Sequence, residues 1–272
     1  MKRLLLLGLA AAMMMALAVP ASAITRGGTL DGEDHPYVGL MVADDADGNP
    51  MWRCSGALIS ETVFVTAGHC TFGAARATIW FQSDVQSQLD VNGYPFGGTG
   101  YSVDGTAYAH PDYIDAAFYL YDLGVVVLDE PVIVARYANL PTEGLVDTFD
   151  SGRNKATVTA VGYGLQAASQ NPVKPEKTVA ERIRMQADLF VVDTNGVAGI
   201  GPIPGSNSMT LSGDSKHGGT CFGDSGGPIL QRGTDTITGV NSFGLNGNCA
   251  GVGGAFRIDR EFELYWIKTF LG

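Results

Sequence analysis

The sequence is short of basic residues, and this shortage excludes one class of partner. Its 272 residues contain 17 Lys and Arg against 28 Asp and Glu, which gives a formal net charge of −11. A chain this acidic lacks a basic surface that would neutralise phosphates, so we expect no nucleic-acid partner. The excess of carboxylates is more typical of a protein that must stay soluble outside the cell.

Long apolar runs are equally scarce, because only one occurs. Lys2 and Arg3 precede an apolar run over residues 4–19, and Pro-Ala-Ser-Ala follows it at residues 20–23. This order is typical of a secretory signal. We therefore predict a signal peptide at residues 1–23, a mature chain that begins at Ile24, and a secreted, extracellular location. The alternative is an uncleaved N-terminal anchor. The run is short for a membrane span, so no stable membrane anchor is expected.

Cysteine and histidine are few, with four of each. No Cys-x-x-Cys pair occurs and the histidines are scattered, so a zinc site is not expected. In a secreted chain an even number of cysteines predicts disulfides, and the spacing favours the pairs Cys54–Cys70 and Cys221–Cys249. The sequence also lacks any Asn-x-Ser/Thr acceptor, so N-glycosylation is not expected.

Helical periodicity is rare, and short apolar segments between Gly-rich and polar turns dominate the sequence instead. Many short strands of this kind predict an all-β sandwich or barrel. The pattern lapses over residues 131–152, which we interpret as a linker between two halves. The predicted strands cover residues 37–42, 52–59, 63–66, 77–81, 101–109, 123–128, 156–162, 181–192, 228–230, 236–242 and 253–258.

One helix is predicted at the end of the sequence. Asp259 can cap its N-terminus, and Phe262, Tyr265, Trp266 and Phe270 fall on one face. We interpret that face as core packing rather than as a groove for a partner.

Residues 44–50 form an acidic segment with two alternative uses. Four turn-forming residues, Asp44, Asp45, Asp47 and Gly48, could mark either a calcium loop or a solvated turn. The segment lacks the twelve-residue EF-hand pattern and its closing glutamate, so the solvated turn is favoured.

Residues 221–228 (Cys-Phe-Gly-Asp-Ser-Gly-Gly-Pro) are the segment that indicates chemistry. Glycines on both sides of Ser225 allow backbone N–H groups to turn toward a small anion. A serine in such a loop can attack a carbonyl while the N–H groups hold the oxyanion. By itself the segment is also compatible with an ordinary turn.

A serine nucleophile needs a base and a buried acid. His69 ends a predicted strand beside Cys70, and a histidine fixed there can transfer protons near neutral pH. Taken alone, this position favours a structural loop residue over a catalytic one. Asp122 directly precedes the apolar run 123–128, so it is the acid most strongly drawn into the core. The alternative acids Asp112, Asp115 and Asp129 lie among turn residues.

Three motifs in the order His, Asp, Ser resemble those of the chymotrypsin-like, or trypsin-superfamily, serine endopeptidases. Thr-Ala-Gly-His-Cys at residues 66–70 resembles the histidine motif, and Asp-Leu-Gly-Val-Val at residues 122–126 resembles the aspartate motif. Gly-Asp-Ser-Gly-Gly-Pro at residues 223–228 is similar to the serine motif, and the resemblance extends from about Ile24 to the terminal helix.

The resemblance implies an all-β fold of two six-stranded antiparallel β-barrels, at residues 24–140 and 141–258, with a short C-terminal helix at residues 259–272. It implies Ser225 as nucleophile, His69 as general base and Asp122 as the acid that orients His69, with the N–H groups of Gly223 and Ser225 as the oxyanion hole. No metal or cofactor is implied. The expected partners are polypeptide substrates and a protein inhibitor, and a monomer is expected.

The resemblance also assigns an activation pair and a specificity pocket. A free N-terminal ammonium on Ile24 would pair with Asp224. Gly219 and Thr220 are expected at the pocket floor and Phe222 at the rim. Ser242, Phe243 and Gly244 are expected to form one wall, with Gly254 opposite Gly244. With no acid at the floor we expect a preference for apolar or aromatic side chains, while His217 leaves a preference for acidic side chains open.

Two other functions remain compatible with the sequence. The fold could serve binding or adhesion in a catalytically silent relative, since fold alone does not determine function. A serine esterase of another fold would also use Gly-x-Ser-x-Gly, but it would need alternating helices and strands.

Overall fold

The computed structural model describes residues 24, 27–152, 154–168, 177–196, 207–213 and 218–272. The predicted signal peptide at residues 1–23 and His217 lie outside the described residues. Within these residues fifteen strands and two α-helices follow one another. The strands are β1 Thr29–Leu30, β2 Val38–Asp44, β3 Pro50–Leu58, β4 Val63–Thr66, β5 Arg76–Trp80, β6 Ser102–Ala109, β7 Gly124–Leu128, β8 Thr157–Gly162, β9 Ala167–Ala168, β10 Lys177–Val179, β11 Met185–Asp193, β12 Ser208–Gly213, β13 Pro228–Gln231, β14 Ile237–Gly244 and β15 Gly251–Arg257; the helices are α1 Gly68–Thr71 and α2 Glu261–Lys268.

The first barrel closes in the order β2-β3-β4-β7-β6-β5, and every pair is antiparallel. β-Branched and apolar residues dominate its strands, as in β7, whose sequence is Gly-Val-Val-Val-Leu. All seven residues of β2 are buried because this strand lies between β3 and β5 and its faces are covered. Closure leaves the barrel without free strand edges.

The second barrel closes in the order β8-β11-β12-β15-β14-β13, with β13 returning to β8. Along β11 the residues Met185, Ala187, Leu189 and Val191 are buried and alternate with less buried neighbours, as expected for one face turned to a core. Strand β1 adds to β11 through the pair Thr29 and Gln186. The expected fold of two six-stranded antiparallel barrels with a short C-terminal helix is confirmed.

All predicted strands occur, with ends shifted by a few residues. The short strands β1, β9 and β10, and also β12, were not predicted from the sequence. Residues 131–152 contain a 3-10 helix at Leu145–Thr148 and no strand. Within the described chain no helix is long and apolar enough to cross a membrane, since the longest, α2, has eight residues.

One apolar cluster extends across both barrels. It combines first-barrel residues such as Leu40 and Trp80 with second-barrel residues such as Val161, Leu230 and Phe256. The two barrels therefore share a core at their interface, and the second barrel has a further apolar cluster of its own.

Arg184, at the start of β11, ties the barrels together with hydrogen bonds. Its guanidinium is fully buried and donates to the backbone oxygens of Val38 and Phe81 in the first barrel, each at 3.0 Å. Its Nε also pairs with the buried carboxylate of Asp31 at 2.7 Å. This network fixes the orientation of one barrel against the other.

The expected cap of the terminal helix is wrong, and the expected aromatic core face is right only in part. The carboxylate of Asp259 does not cap the helix, because it binds Arg257 and the backbone N–H of Val146 instead. The helix buries Leu264 and Ile267, whereas Phe262 is 51% exposed and Tyr265 is 70% exposed. The aliphatic residues therefore face the core, and of the predicted aromatic face Trp266 packs partly against it.

Phe262 and Trp266 of α2, together with Tyr121, enclose His110. The imidazole stacks on Tyr121 with 5.2 Å between ring centroids, and the edges of Phe262 and Trp266 approach it at 5.3 and 4.9 Å. The backbone N–H of His110 donates to Leu123 O at 2.8 Å. Burial lowers the pKa of His110. The helix is thus fastened to the loop that leads into β7.

The acidic segment at residues 44–50 forms a turn closed by its own groups. The carboxylate of Asp45 accepts hydrogen bonds from the backbone N–H groups of Asp47 and Asn49, at 2.9 and 2.8 Å. Asp44 is buried and accepts a hydrogen bond from Thr78 Oγ1. These bonds fit the interpretation of a turn.

Candidate active site

His69 lies in α1, the single helical turn that follows β4. Only glycine fits before it, since a Cβ on Gly68 would lie 2.8 Å from the Tyr113 ring and 3.0 Å from Leu123 N. The predicted disulfide Cys54–Cys70 forms and holds the turn against β3. The two cysteine sulfurs near His69 are therefore bonded to each other and do not act as metal ligands.

Asp122 is completely buried beside His69. Its carboxylate accepts hydrogen bonds from the backbone N–H of His69 at 2.8 Å and from His69 Nδ1 at 2.9 Å. Ser242 Oγ donates a third hydrogen bond to the same carboxylate. Three donors fix the acid, and a proton held on Nδ1 leaves Nε2 as the basic nitrogen of the imidazole.

The structure separates Asp122 from the alternative acids considered above. Asp112 and Asp115 are exposed, and Asp129 pairs with Arg76 at the surface. Among the other histidines, His35 binds Asp31 with 2.5 Å between Nδ1 and Oδ1, and His110 lies in its aromatic enclosure. His69 is thus the described histidine that meets Asp122.

The negative charge of Asp122 favours the protonated form of the His69 imidazole more than an aqueous environment would. Burial by itself would lower the pKa of His69, but the negative charge and hydrogen bond of Asp122, with a smaller contribution from Asp115, raise that pKa above its usual value. A raised pKa makes His69 a stronger proton acceptor during attack by a nucleophile.

Ser225 lies in a loop that is pressed between the barrels. Its backbone oxygen accepts a hydrogen bond from Ser55 N at 2.8 Å, and Gly226 N donates to Asn241 O at 2.7 Å. A Cβ on Gly226, whose φ is +77°, would lie 2.0 Å from Thr66 Oγ1 and 2.8 Å from Ala67 N. Because Ala67 precedes His69 by two positions, this close approach brings the serine and histidine segments together.

Two backbone N–H groups of this loop are available to a ligand. Gly223 has a φ of +98°, which favours glycine, and its oxygen accepts a hydrogen bond from Ser55 Oγ at 2.8 Å. Within the described residues neither Gly223 N nor Ser225 N donates a hydrogen bond to the protein. Such paired free donors are the feature that stabilises an oxyanion.

Asp224 points away from solvent into the loop. Its carboxylate accepts hydrogen bonds from Gly164 N at 2.8 Å and Cys221 N at 2.9 Å. Burial raises the pKa of Asp224 to about 6, against the opposing effect of these two donors and of the Arg53 charge. Ile24 is fully buried in the second-barrel cluster, and its nitrogen belongs to a peptide bond in the intact sequence. The ion pair with Asp224 requires a free ammonium and stays a prediction.

A cavity of about 240 Å³ opens beside Ser225. The predicted disulfide Cys221–Cys249 also forms and borders the cavity. None of the described residues that line the cavity is acidic or basic. They are Thr220, Cys221, Phe222, Ser225, Asn241, Ser242, Phe243, Gly244, Asn246, Gly247 and Cys249.

The predicted pocket residues lie around this cavity with one change of register. Gly219 and Thr220 line a small adjoining recess, and Phe222 is exposed at the rim. Gly253, not Gly254, pairs with Gly244, because the register of β14 and β15 shifts between Asn241 and Phe243. Gly254 faces Phe243, whose ring would lie 2.2 Å from a Cβ there.

Sequence reasoning missed two contributions to the site. Ser242 was expected only as a pocket wall, yet it also binds Asp122. Ser55 was not singled out, although its backbone and side chain both hold the serine loop. Neither residue carries a local signal, because each acts through a contact between segments that are distant in the chain.

The comparisons with known proteins agree with this arrangement. The family model described as Trypsin matches residues 27–262. The chain is 29% identical to brachyurin from Leptuca pugilator, over 87% of this chain and 93% of that protein. It is 30% identical to a trypsin from Saccharopolyspora erythraea, over 81% of this chain and 86% of that protein.

Solved structures share the fold at lower sequence identity. The structure titled HL collagenase has a TM-score of 0.66 and 20% identity, covering 90% of this chain and 97% of that one. Human heparin binding protein has a TM-score of 0.64 and 19% identity, covering 90% and 96%. Taken with the match to the family model, these findings show that the chain belongs to the trypsin family of serine endopeptidases, hydrolases whose substrates are polypeptides.

Proposed function

We propose that the chain cleaves peptide bonds through an acyl-enzyme formed on Ser225, with His69 and Asp122 completing the catalytic triad. The observation that carries this proposal is the setting of Asp122, which is fully buried and accepts hydrogen bonds from both the backbone and the imidazole of His69. An acid held in this way fixes the tautomer of the imidazole and stabilises the imidazolium that forms.

The steps follow from the roles of these groups. Ser225 Oγ attacks the scissile carbonyl while its proton passes to His69 Nε2, and the N–H groups of Gly223 and Ser225 bind the oxyanion. The tetrahedral intermediate then expels the amine, which takes the proton from His69 and leaves an ester on Ser225. Water attacks that ester with His69 again as base, which releases the acid and restores the serine. Loss of one oxyanion donor typically costs about 3–4 kcal/mol of transition-state stabilisation.

The cavity beside Ser225 supports a preference for apolar or aromatic side chains on the acyl side of the scissile bond. Its volume of about 240 Å³ exceeds the roughly 150 Å³ of an apolar cavity that holds benzene. Among the lining residues that the structure describes none is charged, so an Arg or Lys side chain would meet no charged partner among them. His217, which kept an acidic preference open, lies outside the described residues.

Secretion and activation complete the proposal. Residues 1–23 would direct export of the chain, and their removal would create a free ammonium on Ile24. Burial raises the pKa of the Asp224 carboxyl to about 6, so an ammonium placed beside it would stabilise the charged carboxylate. We therefore propose that signal cleavage itself activates the enzyme.

Covalent labelling tests the triad. A fluorophosphonate probe should label the wild-type protein and fail to label Ser225→Ala. The control Ser83→Ala removes a hydroxyl that binds the exposed Glu33 and should label normally. A wild-type protein that is folded, correctly processed and unlabelled would contradict the proposal and favour a silent binding protein.

Two further measurements test specificity and activation separately. A peptide-library profile should be dominated by apolar or aromatic residues before the cleaved bond, and a profile dominated by Arg and Lys would contradict the assignment of the pocket. N-terminal sequencing of the secreted, active form should give Ile24. A start well beyond Ile24 with full activity would rule out activation by signal cleavage.

A further inference from the structure

Arg53 is a cation beside the oxyanion loop, close enough for its charge to lower the pKa of Asp224 but not paired with that carboxylate. It lies in β3, next to Cys54, and is half-buried. A Cβ on Gly223 would lie 3.1 Å from Arg53 Nη2 and 3.2 Å from Arg53 Nε, so the guanidinium rests against the Gly223 backbone. Within the described residues it makes neither a hydrogen bond nor an ion pair.

An unpaired guanidinium is unusual in a chain with so many carboxylates. The other arginines of the first barrel and the adjoining segment, Arg76 and Arg136, each pair with an aspartate. The planar guanidinium has five N–H donors, and its geometry matches a carboxylate. Arg53 therefore has donor capacity that the protein itself does not use, at the edge of the candidate active site.

The position of Arg53 assigns it to one side of the substrate. The cavity for the acyl-side residue is lined by the second barrel, through residues such as Phe222 and Gly244. Arg53 belongs to the first barrel, and its neighbour Cys54 is bonded to Cys70, which follows His69. Because His69 delivers the proton to the departing amine, the side of the loop nearest β3 is the side of the leaving group.

We infer that Arg53 is a specificity-determining residue that favours a carboxylate side chain in the first or second substrate residue after the scissile bond. This inference rests on the proposed function, because it assumes cleavage at Ser225. The guanidinium would accept a Glu or Asp side chain as a charge-assisted pair, and it would repel Lys or Arg at the same place.

Matched peptides test this inference. Each carries Phe before the scissile bond and Glu, Gln or Lys at the first or second position after it. The wild-type protein should cleave the Glu peptide with a kcat/KM roughly 3–10-fold above that of the Gln peptide, as expected for a partly solvated charge pair. This ratio should shrink in about 1 M NaCl, where the Debye length is only about 3 Å.

Variants separate recognition from a structural role. Arg53→Gln should abolish the Glu preference, so that the Glu and Gln peptides are cleaved with nearly equal kcat/KM. Arg53→Lys should retain part of the preference, and Arg53→Glu should reverse it toward Lys. Arg232→Gln, which removes an exposed arginine paired with Asp188, is the control and should keep the wild-type ratio.

The outcomes are distinguishable from failure of the proposed function. If the wild-type protein cleaves all peptides without preferring Glu, or if Arg53→Gln slows all peptides by one factor and keeps the ratio, the inference is wrong and Arg53 only supports the loop. If the wild-type protein cleaves no peptide and takes up no fluorophosphonate, the proposed function itself fails.

Discussion

Replacing Gly226 by alanine should disable the candidate active site more severely than it destabilises the fold. The new Cβ would lie 2.0 Å from Thr66 Oγ1, 2.5 Å from Ser55 O and 2.8 Å from Ala67 N. Two of these three atoms belong to backbone, which cannot rotate away as a side chain can. The serine loop, which has fewer strand hydrogen bonds than β3 and β4, is therefore the part that must move.

Two costs add in this variant. A φ of +77° costs an alanine about 1–2 kcal/mol, and overpacking costs typically 1–3 kcal/mol. We expect the free energy of unfolding to fall by about 2–5 kcal/mol in total. Because Ser225 directly precedes Gly226, its hydroxyl should be displaced with the loop, and a displacement of about 1 Å should lower kcat/KM by about 100-fold or more.

Gly233→Ala provides a matched control. Gly233 has a φ of +74° and no atom within 4 Å of the Cβ position, so only the conformational cost applies. Urea unfolding followed by fluorescence gives both stabilities, and titration with a fluorophosphonate separates the fraction of active protein from the rate per site. Equal loss of stability and equal kcat/KM in the two variants would refute the packing argument.

Three other perturbations have defined outcomes. Asp122→Asn should lower kcat by ~10⁴-fold, as in this family's mechanism. It should also shift the acidic limb of the pH–rate profile to lower pH, because Asp122 raises the pKa of His69. An acidic limb that does not shift would contradict this assignment. The pKa of His110 is lowered in the folded protein, so the unfolded chain binds a proton more readily and the free energy of unfolding should fall as pH drops below about 6.5. His110→Phe should flatten this pH dependence in denaturant titrations at several pH values. An unchanged slope would contradict the role of His110. Arg184→Met should lower the free energy of unfolding by about 3–5 kcal/mol, because it leaves the buried Asp31 carboxylate without its guanidinium partner. A decrease of less than about 1 kcal/mol in urea unfolding would contradict the role of Arg184 in holding the two barrels together.

The sequence was sufficient to predict the candidate catalytic residues, because each of them lies in a short motif of neighbouring residues. Glycines mark close approaches at Gly68 and Gly226, and an apolar run after Asp122 predicts its burial. The two disulfides followed from an even number of cysteines with suitable spacing. The density of short strands predicted a β-sandwich or barrel, and the resemblance of the three motifs to the chymotrypsin-like family implied two barrels. Each of these signals depends on residues that are near one another in the chain.

Features that depend on the meeting of distant strands could not be predicted in this way. The register shift between Asn241 and Phe243 moves every later pair of β14 and β15 by one residue, which places Gly253 opposite Gly244. The terminal helix shows the same limit. Its aromatic stripe was visible, but His110 lies far away in the sequence, so its contacts with Phe262 and Trp266 could not be predicted.

The apolar cluster shared by both barrels has a consequence for thermal unfolding and for the construction of chimeras. Neither barrel could remain folded alone without exposing residues such as Trp80 or Phe256, which lie in one continuous core. Calorimetry should therefore record a single cooperative heat-absorption peak rather than two. For the same reason, a chimera that takes one barrel from a relative must match the shared surface, because the two halves are not interchangeable modules.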